Sequence, residues 1–229
     1  MIYKKIGSLS KKEQFVREIE SMIITGSLPI GTKIPSEREL AETMGLSKTV
    51  VNSGILEMAN KGFLVVKPRQ GTYVQDYKRF GKMDALLSVM TNNYSNTSDQ
   101  EMKSFFEMRL VIEKLALELA IPKLDDQDIN HLTKLYEDIK DAKDDKEACL
   151  ANFNLHHEIC YMSANIICPL LLTSFKVPIL RVWESYCEKH GRTRMIDNAT
   201  RLIRDIQHKD VKGAVKTLED IINCALLEL

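Results

Sequence analysis

The chain lacks net charge: 32 Lys and Arg face 32 Asp and Glu. It has one Trp, six Pro and five Cys, an odd number of thiols without paired spacing. That pattern excludes a disulfide framework and fits a reducing compartment. No apolar run reaches membrane-spanning length and no apolar segment opens the chain, so a soluble cytoplasmic protein with no membrane partner is expected. No nucleophile–base spacing and no phosphate-cradling Gly loop can be found, so neither an enzyme nor a cofactor is expected. Repeats and low-complexity tracts are absent too. At 229 residues the chain suits two modest domains.

What is present begins with an uneven distribution of charge. Residues 1–76 carry 11 Lys and Arg against 8 Asp and Glu, a net of +3, and residues 77–229 carry the compensating −3. Within the basic part, Ser36 and Glu39 form a capping box behind Pro35. The helix they start runs to Met44, where Gly45 is a natural left-handed terminator. Ser47 caps a second helix, Lys48 to Lys61, stopped by Gly62. Val51, Ile55 and Met58 recur on it at helical spacing, and Leu56 and Ala59 widen that face. Lys48, Thr49, Asn52 and Ser53 are left on the outward first turns, from which a recognition helix reaches base edges. The β-branched run Phe63–Val66, a basic tip Lys67-Pro68-Arg69-Gln70-Gly71, and Thr72-Tyr73-Val74 predict a hairpin wing. Arg38 has a plainer reading, as the i+4 partner of Glu42, and Lys67 and Arg69 could be an ordinary solubilising turn.

From about Phe15 to Val74 the chain resembles the winged helix-turn-helix of the GntR family of bacterial transcription regulators. The resemblance runs through Gly26, Leu28-Pro29-Ile30-Gly31, Lys33, Pro35–Ala41, Leu46-Ser47, Leu56, Gly62-Phe63 and Arg69–Val74. It implies DNA contacts by Arg38, by Ser47, Lys48 and Thr49 at the start of the recognition helix, and by the wing tip Lys67, Arg69, Gln70 and Gly71. Two positions depart from the family: Lys48 and Asn52 stand where Arg is usual. Arg reads guanine with a planar fork, whereas Lys is a point charge and Asn suits adenine. A half-site less dependent on guanine is therefore expected.

Beyond residues 1–75, Asp76 to about Lys82 is polar and Gly-containing, the composition of a linker. Residues 83–229 then read as helices throughout, at 83–92, 98–120, 125–141, 145–165, 169–190, 197–208 and 210–229. Phe105, Met108, Ile112, Leu115 and Leu119 would form one apolar stripe, and Val211, Ala214, Leu218, Ile221 and Ala225 another. Asp99 and Asp210 sit near helix starts, where the dipole favours carboxylates. The expected architecture is an N-terminal winged helix-turn-helix, α with a small β-wing, followed by an all-α antiparallel helical bundle.

A bundle behind such a reader looks like the FadR-type subgroup, whose effector domain is called FCD. The resemblance rests on Glu107-Met108-Arg109 with Glu113, Phe153 to His156 with Asn165, and Ile206 with Asp210. Many such domains bind a divalent metal through one Asp and three His. Here only His156 matches; Asn152, Ala199 and Ile221 occupy the other positions. Neutral Asn is a poor ligand for a hard cation, and Ala and Ile cannot ligate, so no metal of that type is expected. A soft site through Cys149, His156 and Cys160 is conceivable on one helix face, but Cys149 and His156 lie two turns apart and buried Cys is more often a small hydrophobe.

An effector site inside the bundle is the remaining candidate. Arg109 would hold an anionic ligand while Asn152 and His156 orient its polar groups, with Tyr161, Arg181 and Trp183 nearby. The plain alternative pairs Arg109 with Glu113 and makes His156 a satisfied core residue. The expected whole is a dimeric regulator, most often a repressor in this family. Its partners would be a pseudo-palindromic double-stranded operator and a small-molecule effector. An effector-independent DNA-binding dimer is the competing reading. An aminotransferase-like enzyme fused to the reader is a poorer one, since residues 77–229 are too few and too helical.

Overall fold

The computed structural model describes residues 9–91 and 99–226. The expected helix limits at 92, 98 and 227–229, and the Asp99 side chain, lie outside the described residues. The chain divides into two compact units, Met1–Asn96 and Thr97–Leu229.

In the first unit, α1 (Lys11–Ile24) precedes α2 (Glu37–Met44) and α3 (Lys48–Lys61), followed by β1 (Leu64–Lys67), β2 (Gly71–Val74), α4 (Tyr77–Phe80) and α5 (Met83–Thr91). Ser10 and Glu13 close a capping box on α1 of the same kind as Ser36 and Glu39 on α2. The core joins Phe15, Ile19 and Ile23 of α1 to Leu40, Val51, Ile55, Met58, Phe63, Leu64 and Val74. Leu56, expected to widen the apolar face of α3, is instead 53 % exposed. The apolar sector of α3 is filled by α1 on a narrower front. Gly54 shows how close that contact is: a Cβ there would lie 2.4 Å from the Phe15 ring.

The wing is a two-stranded antiparallel hairpin pairing Leu64 with Val74 and Lys67 with Gly71, and Lys33 adds a single bridge to Tyr73. Residues 76–82, expected as a linker, contain α4, and Ala85 of α5 is buried in the first core. Lys82 N donates to the Lys61 carbonyl at 3.0 Å. Lys61 in turn reaches Glu20 of α1 at 2.9 Å and Ser88 of α5 at 3.3 Å. The compact reader therefore continues past residue 82 through α5.

The second unit is helical: α6 (Asp99–Ala120), a 3-10 turn at Ile121–Lys123, α7 (Asp126–Asp141), α8 (Asp145–Met162), α9 (Ile167–Ser174), α10 (Lys176–His190), α11 (Thr193–Gln207) and α12 (Val211–Leu226). The helix expected over 169–190 is two helices. Pro178 has no N–H to continue a helix through Phe175, but fits the first turn of a new one, where N–H groups have no intrahelical partner anyway. Both expected apolar stripes are rotated. On α6, Met108 and Leu115 are exposed, while Met102, Phe105, Phe106, Ile112, Ala116 and Leu117 are buried. On α12, Ile222 rather than Ile221 enters the core. The cause on α6 is that it packs against α8, α9 and α12 together. Its Phe105 ring stands edge-on to Phe106 and to Phe175.

Candidate functional site

The helix-turn-helix is set up by local chemistry. Ser36 Oγ accepts from Glu39 N at 3.3 Å and Ser36 N donates to the Glu39 carboxylate at 2.8 Å. Hydrogen bonds donated to its carboxylate by Ser36 Oγ, at 2.8 Å, and by Ser36 N hold the Glu39 carboxyl below its usual range. Gly45 ends α2 with φ 63°, and Ser47 Oγ accepts from Val50 N to start α3. Ser47 thus commits one lone pair of its hydroxyl to the cap and keeps its O–H and a second lone pair for another partner.

Lys48, Thr49 and Asn52 are all exposed on α3, as expected. Asn52 is not free, however: its Nδ2 donates to Glu37 Oε1 at 2.7 Å. Sequence reading missed Glu37, because nothing in a 15-residue separation signals that contact. Arg38 does pair with Glu42, through Nε at 2.9 Å, and both are exposed. Such a pair is worth a few tenths of a kcal/mol and leaves the terminal guanidinium nitrogens available.

At the wing tip Lys67, Arg69 and Gln70 are exposed, and Gly71 is half-buried. Gln70 N closes the turn on the Lys67 carbonyl at 3.0 Å, and Arg69 is held at φ 62°. A left-handed conformation is unfavourable for a residue with a Cβ. Lys67 lies over the Tyr73 ring at 4.7 Å. The arrangement presents two cations on a short, stiff support beside the recognition helix.

In the helical unit the structure joins Arg109 and His156 through Glu113, and Asn152 is buried one turn before His156 on α8. Arg109 is 1 % exposed and forms a buried ion pair with Glu113, one turn further along α6. The other Glu113 oxygen lies 2.5 Å from His156 Nδ1. Burial by itself would raise the Glu113 pKa, but the Arg109 and His156 charges and hydrogen bonds outweigh it and hold the group at about 2. An ionised carboxylate only accepts, so His156 Nδ1 carries the proton and donates. His156 Nε2 then has no partner among the described residues, and neither does the Asn152 amide one turn before it. Nη2 of Arg109 is fully buried and likewise unpartnered. Trp183 of α10 faces this group: its ring centroid is 4.8 Å from the Arg109 guanidinium carbon and 5.7 Å from the His156 ring. Two polar groups with unspent N–H or ring nitrogen, those of Arg109 and His156, face an aromatic wall and are fixed by one carboxylate.

Tyr161 and Arg181 do not join this cluster; Tyr161 is 67 % exposed and Arg181 is exposed as well. The α8 face that carries Asn152 and His156 turns Tyr161 to the outside, because positions five and nine residues on point elsewhere around a helix. Glu113 is the residue whose importance sequence reading understated. Its i+4 spacing from Arg109 was visible, but its bridge to His156, 43 residues away, was not.

The donor set does not fit a divalent cation. Asn152 is neutral and Ala199 and Ile221 offer no donor, which leaves His156 as the one ligating side chain of the four positions. Among the described residues no group of three His, Cys, Asp or Glu side chains could hold an ion. Cys149 and Cys160 are buried in the core, and burial pushes both thiols well above their usual pKa, the opposite of a ligating thiolate.

Comparison with known proteins places both units. Residues 11–74 match the model described as bacterial regulatory proteins, gntR family, and residues 104–223 match the FCD domain model. The uncharacterized HTH-type transcriptional regulator YcbG of Bacillus subtilis is 25 % identical over 188 residues, 76 % of this chain and 74 % of that one. The Glc operon transcriptional activator of Escherichia coli K12 is 24 % identical over 168 residues, covering 71 % and 64 %. Among solved structures, Listeria monocytogenes Lar superimposes with a TM-score of 0.65 at 10 % identity, covering 97 % of each chain. Escherichia coli McbR/YncC gives 0.52 at 21 %, covering 96 % and 99 %. These two likenesses speak to the fold.

Proposed function

The chain belongs to the GntR family of bacterial regulatory proteins and carries an FCD domain, and from that premise we propose a homodimeric, cytoplasmic repressor whose operator binding is governed by an anionic small molecule held at Arg109, Asn152 and His156. DNA-binding regulation of transcription is what the family does. The finer reading assigns the operator contacts to Arg38, Ser47, Lys48, Thr49, Asn52, Lys67, Arg69, Gln70 and Gly71. Two readers related by a twofold axis would engage matching half-sites of a pseudo-palindrome.

One observation carries the effector half: the buried, unpartnered Nη2 of Arg109. A guanidinium N–H left without an acceptor in a protein interior costs free energy, and an anionic ligand oxygen supplies that acceptor with charge assistance. His156 Nε2 and the Asn152 amide would meet the ligand's other polar atoms. Trp183 supplies an apolar wall. Glu113 holds Arg109 and His156 in place. Regulation then requires the ligand to bind one arrangement of the dimer more tightly than the other, and operator DNA must change ligand affinity by the same factor.

The test is a thermal-shift screen of carboxylates, sugar acids and acyl-coenzyme A compounds against wild type and Arg109→Met. A hit that stabilises wild type only, and changes operator affinity in fluorescence anisotropy, supports the reading. If no ligand stabilises the wild type, the bundle serves as a passive dimerisation module instead. Light scattering should give twice the chain mass. Removing the protein should raise transcription from the promoter it occupies; a fall would make it an activator, as the Glc operon relative is named.

A further inference from the structure

We propose that Glu37 is a specificity-determining residue: it holds the Asn52 amide so that the recognition helix reads adenine and turns guanine away at one base of each half-site. The inference rests on the DNA-binding reading above and deepens it.

Glu37 is the first residue of α2, and Asn52 is in the second turn of α3. Their 2.7 Å hydrogen bond is the only side-chain hydrogen bond joining these two helices among the described residues. Both side chains are exposed. A single exposed polar contact adds little to stability, because water competes for both groups. Its consequence is orientation. A planar amide can present either end outward, but a carboxylate has no proton to give, so the end facing Glu37 must be nitrogen.

With one N–H committed to Glu37, Asn52 keeps its carbonyl oxygen and its second N–H. One acceptor and one donor are what an adenine edge calls for, through its N6 amino group and N7. Guanine shows two acceptors in the major groove, O6 and N7. Against guanine the Asn52 oxygen meets another oxygen, and the Glu37 carboxylate behind it adds repulsion. An Asn released from Glu37 could turn and offer N–H to guanine. The pair therefore acts by excluding a competitor as much as by favouring its own base.

The experiment starts from full-length wild-type protein and selection of its site from random duplex DNA. Repeating the selection with Asn52→Ala identifies the base whose preference depends on Asn52. Anisotropy titrations at fixed salt then compare that operator, its adenine-to-guanine variant in both half-sites, and an unrelated duplex, for wild type, Glu37→Ala and Glu37→Gln. Wild type should prefer adenine by about tenfold or more. Glu37→Ala should lose most of that ratio while its affinity for the unrelated duplex stays level or rises and its thermal midpoint moves by no more than about 2 °C. Glu37→Gln keeps an acceptor for Asn52 and should retain the adenine preference with weaker rejection of guanine. The double variant Glu37→Ala/Asn52→Ala should discriminate no worse than Asn52→Ala alone. The proposal is overturned if Glu37→Ala keeps the wild-type ratio, if it weakens all duplexes equally, or if the Asn52-dependent base is guanine. Wild type showing no sequence preference at all would instead remove the DNA-binding reading beneath it.

Discussion

Glu113 joins two helices through one carboxylate. Arg109 occupies one oxygen and His156 the other, and all three side chains are buried. Replacing Glu113 by Ala strands the Arg109 charge in the interior and should cost about 3–5 kcal/mol in urea unfolding at neutral pH. The pH dependence follows from the sign of its shift. The folded pKa, about 2, lies below the ordinary 4.5. The stabilisation is therefore complete above about pH 4.5 and is lost as pH falls from there towards 2. Glu113→Gln should lose this acid-dependent component, seen as a shallower fall of stability with pH over that window. Arg69 poses the opposite case, a residue in an unfavourable backbone conformation at φ 62°. Arg69→Gly should leave stability unchanged or raise it by about 1 kcal/mol. It should also weaken operator binding in anisotropy titrations. Equal loss of stability and binding would show that Arg69 supports the hairpin rather than contacting DNA.

At the scale of elements, α3 is a core helix and, in the proposed function, also the helix that reads DNA, and Gly54 lets it serve as both. Ala in place of Gly inside a helix normally adds about 1 kcal/mol of stability. Here the added methyl would sit 2.4 Å from a Phe15 ring that is itself buried under α3. Overpacking of this kind costs about 1–3 kcal/mol. Gly54→Ala should therefore lower the denaturation midpoint, against the propensity trend, and should weaken operator affinity by moving α3 off α1. A rise in the midpoint would mean that the α1–α3 contact yields more easily than the geometry indicates. The same helix is held at its far end by Lys61, which ties α1, α3 and α5 through Glu20 and Ser88.

The whole molecule is electrically balanced, with the reader carrying only a small basic excess. In the proposed dimer, DNA affinity must then come from a few placed cations used twice, not from a general positive field. Operator affinity should fall linearly in log–log plots against salt, with a slope of about −0.9 per phosphate contacted. Removing one of the cations proposed to contact phosphate, Lys67→Ala for example, changes two contacts in the proposed dimer and should reduce the slope by about 2. A slope unchanged by Lys67→Ala would take that lysine off the DNA.

The reader was legible in the sequence because its signals are local. Capping boxes, left-handed glycines and a turn closing a hairpin act within about four residues, so residue order alone specifies them. What only the tertiary structure decided involves rotation and distance. An apolar pattern tells that α6 is helical, yet the sector it buries depends on the helices around it, and three neighbours turned Met108 and Leu115 outward. A proline near a helix start reads ambiguously until the non-helical backbone at Phe175, φ −92° and ψ 1°, shows a break. The contacts of Glu113 with His156 and of Glu37 with Asn52 join residues 43 and 15 positions apart. Hydrogen bonds between elements carry no periodic trace in a sequence, and it is folding that assembles them.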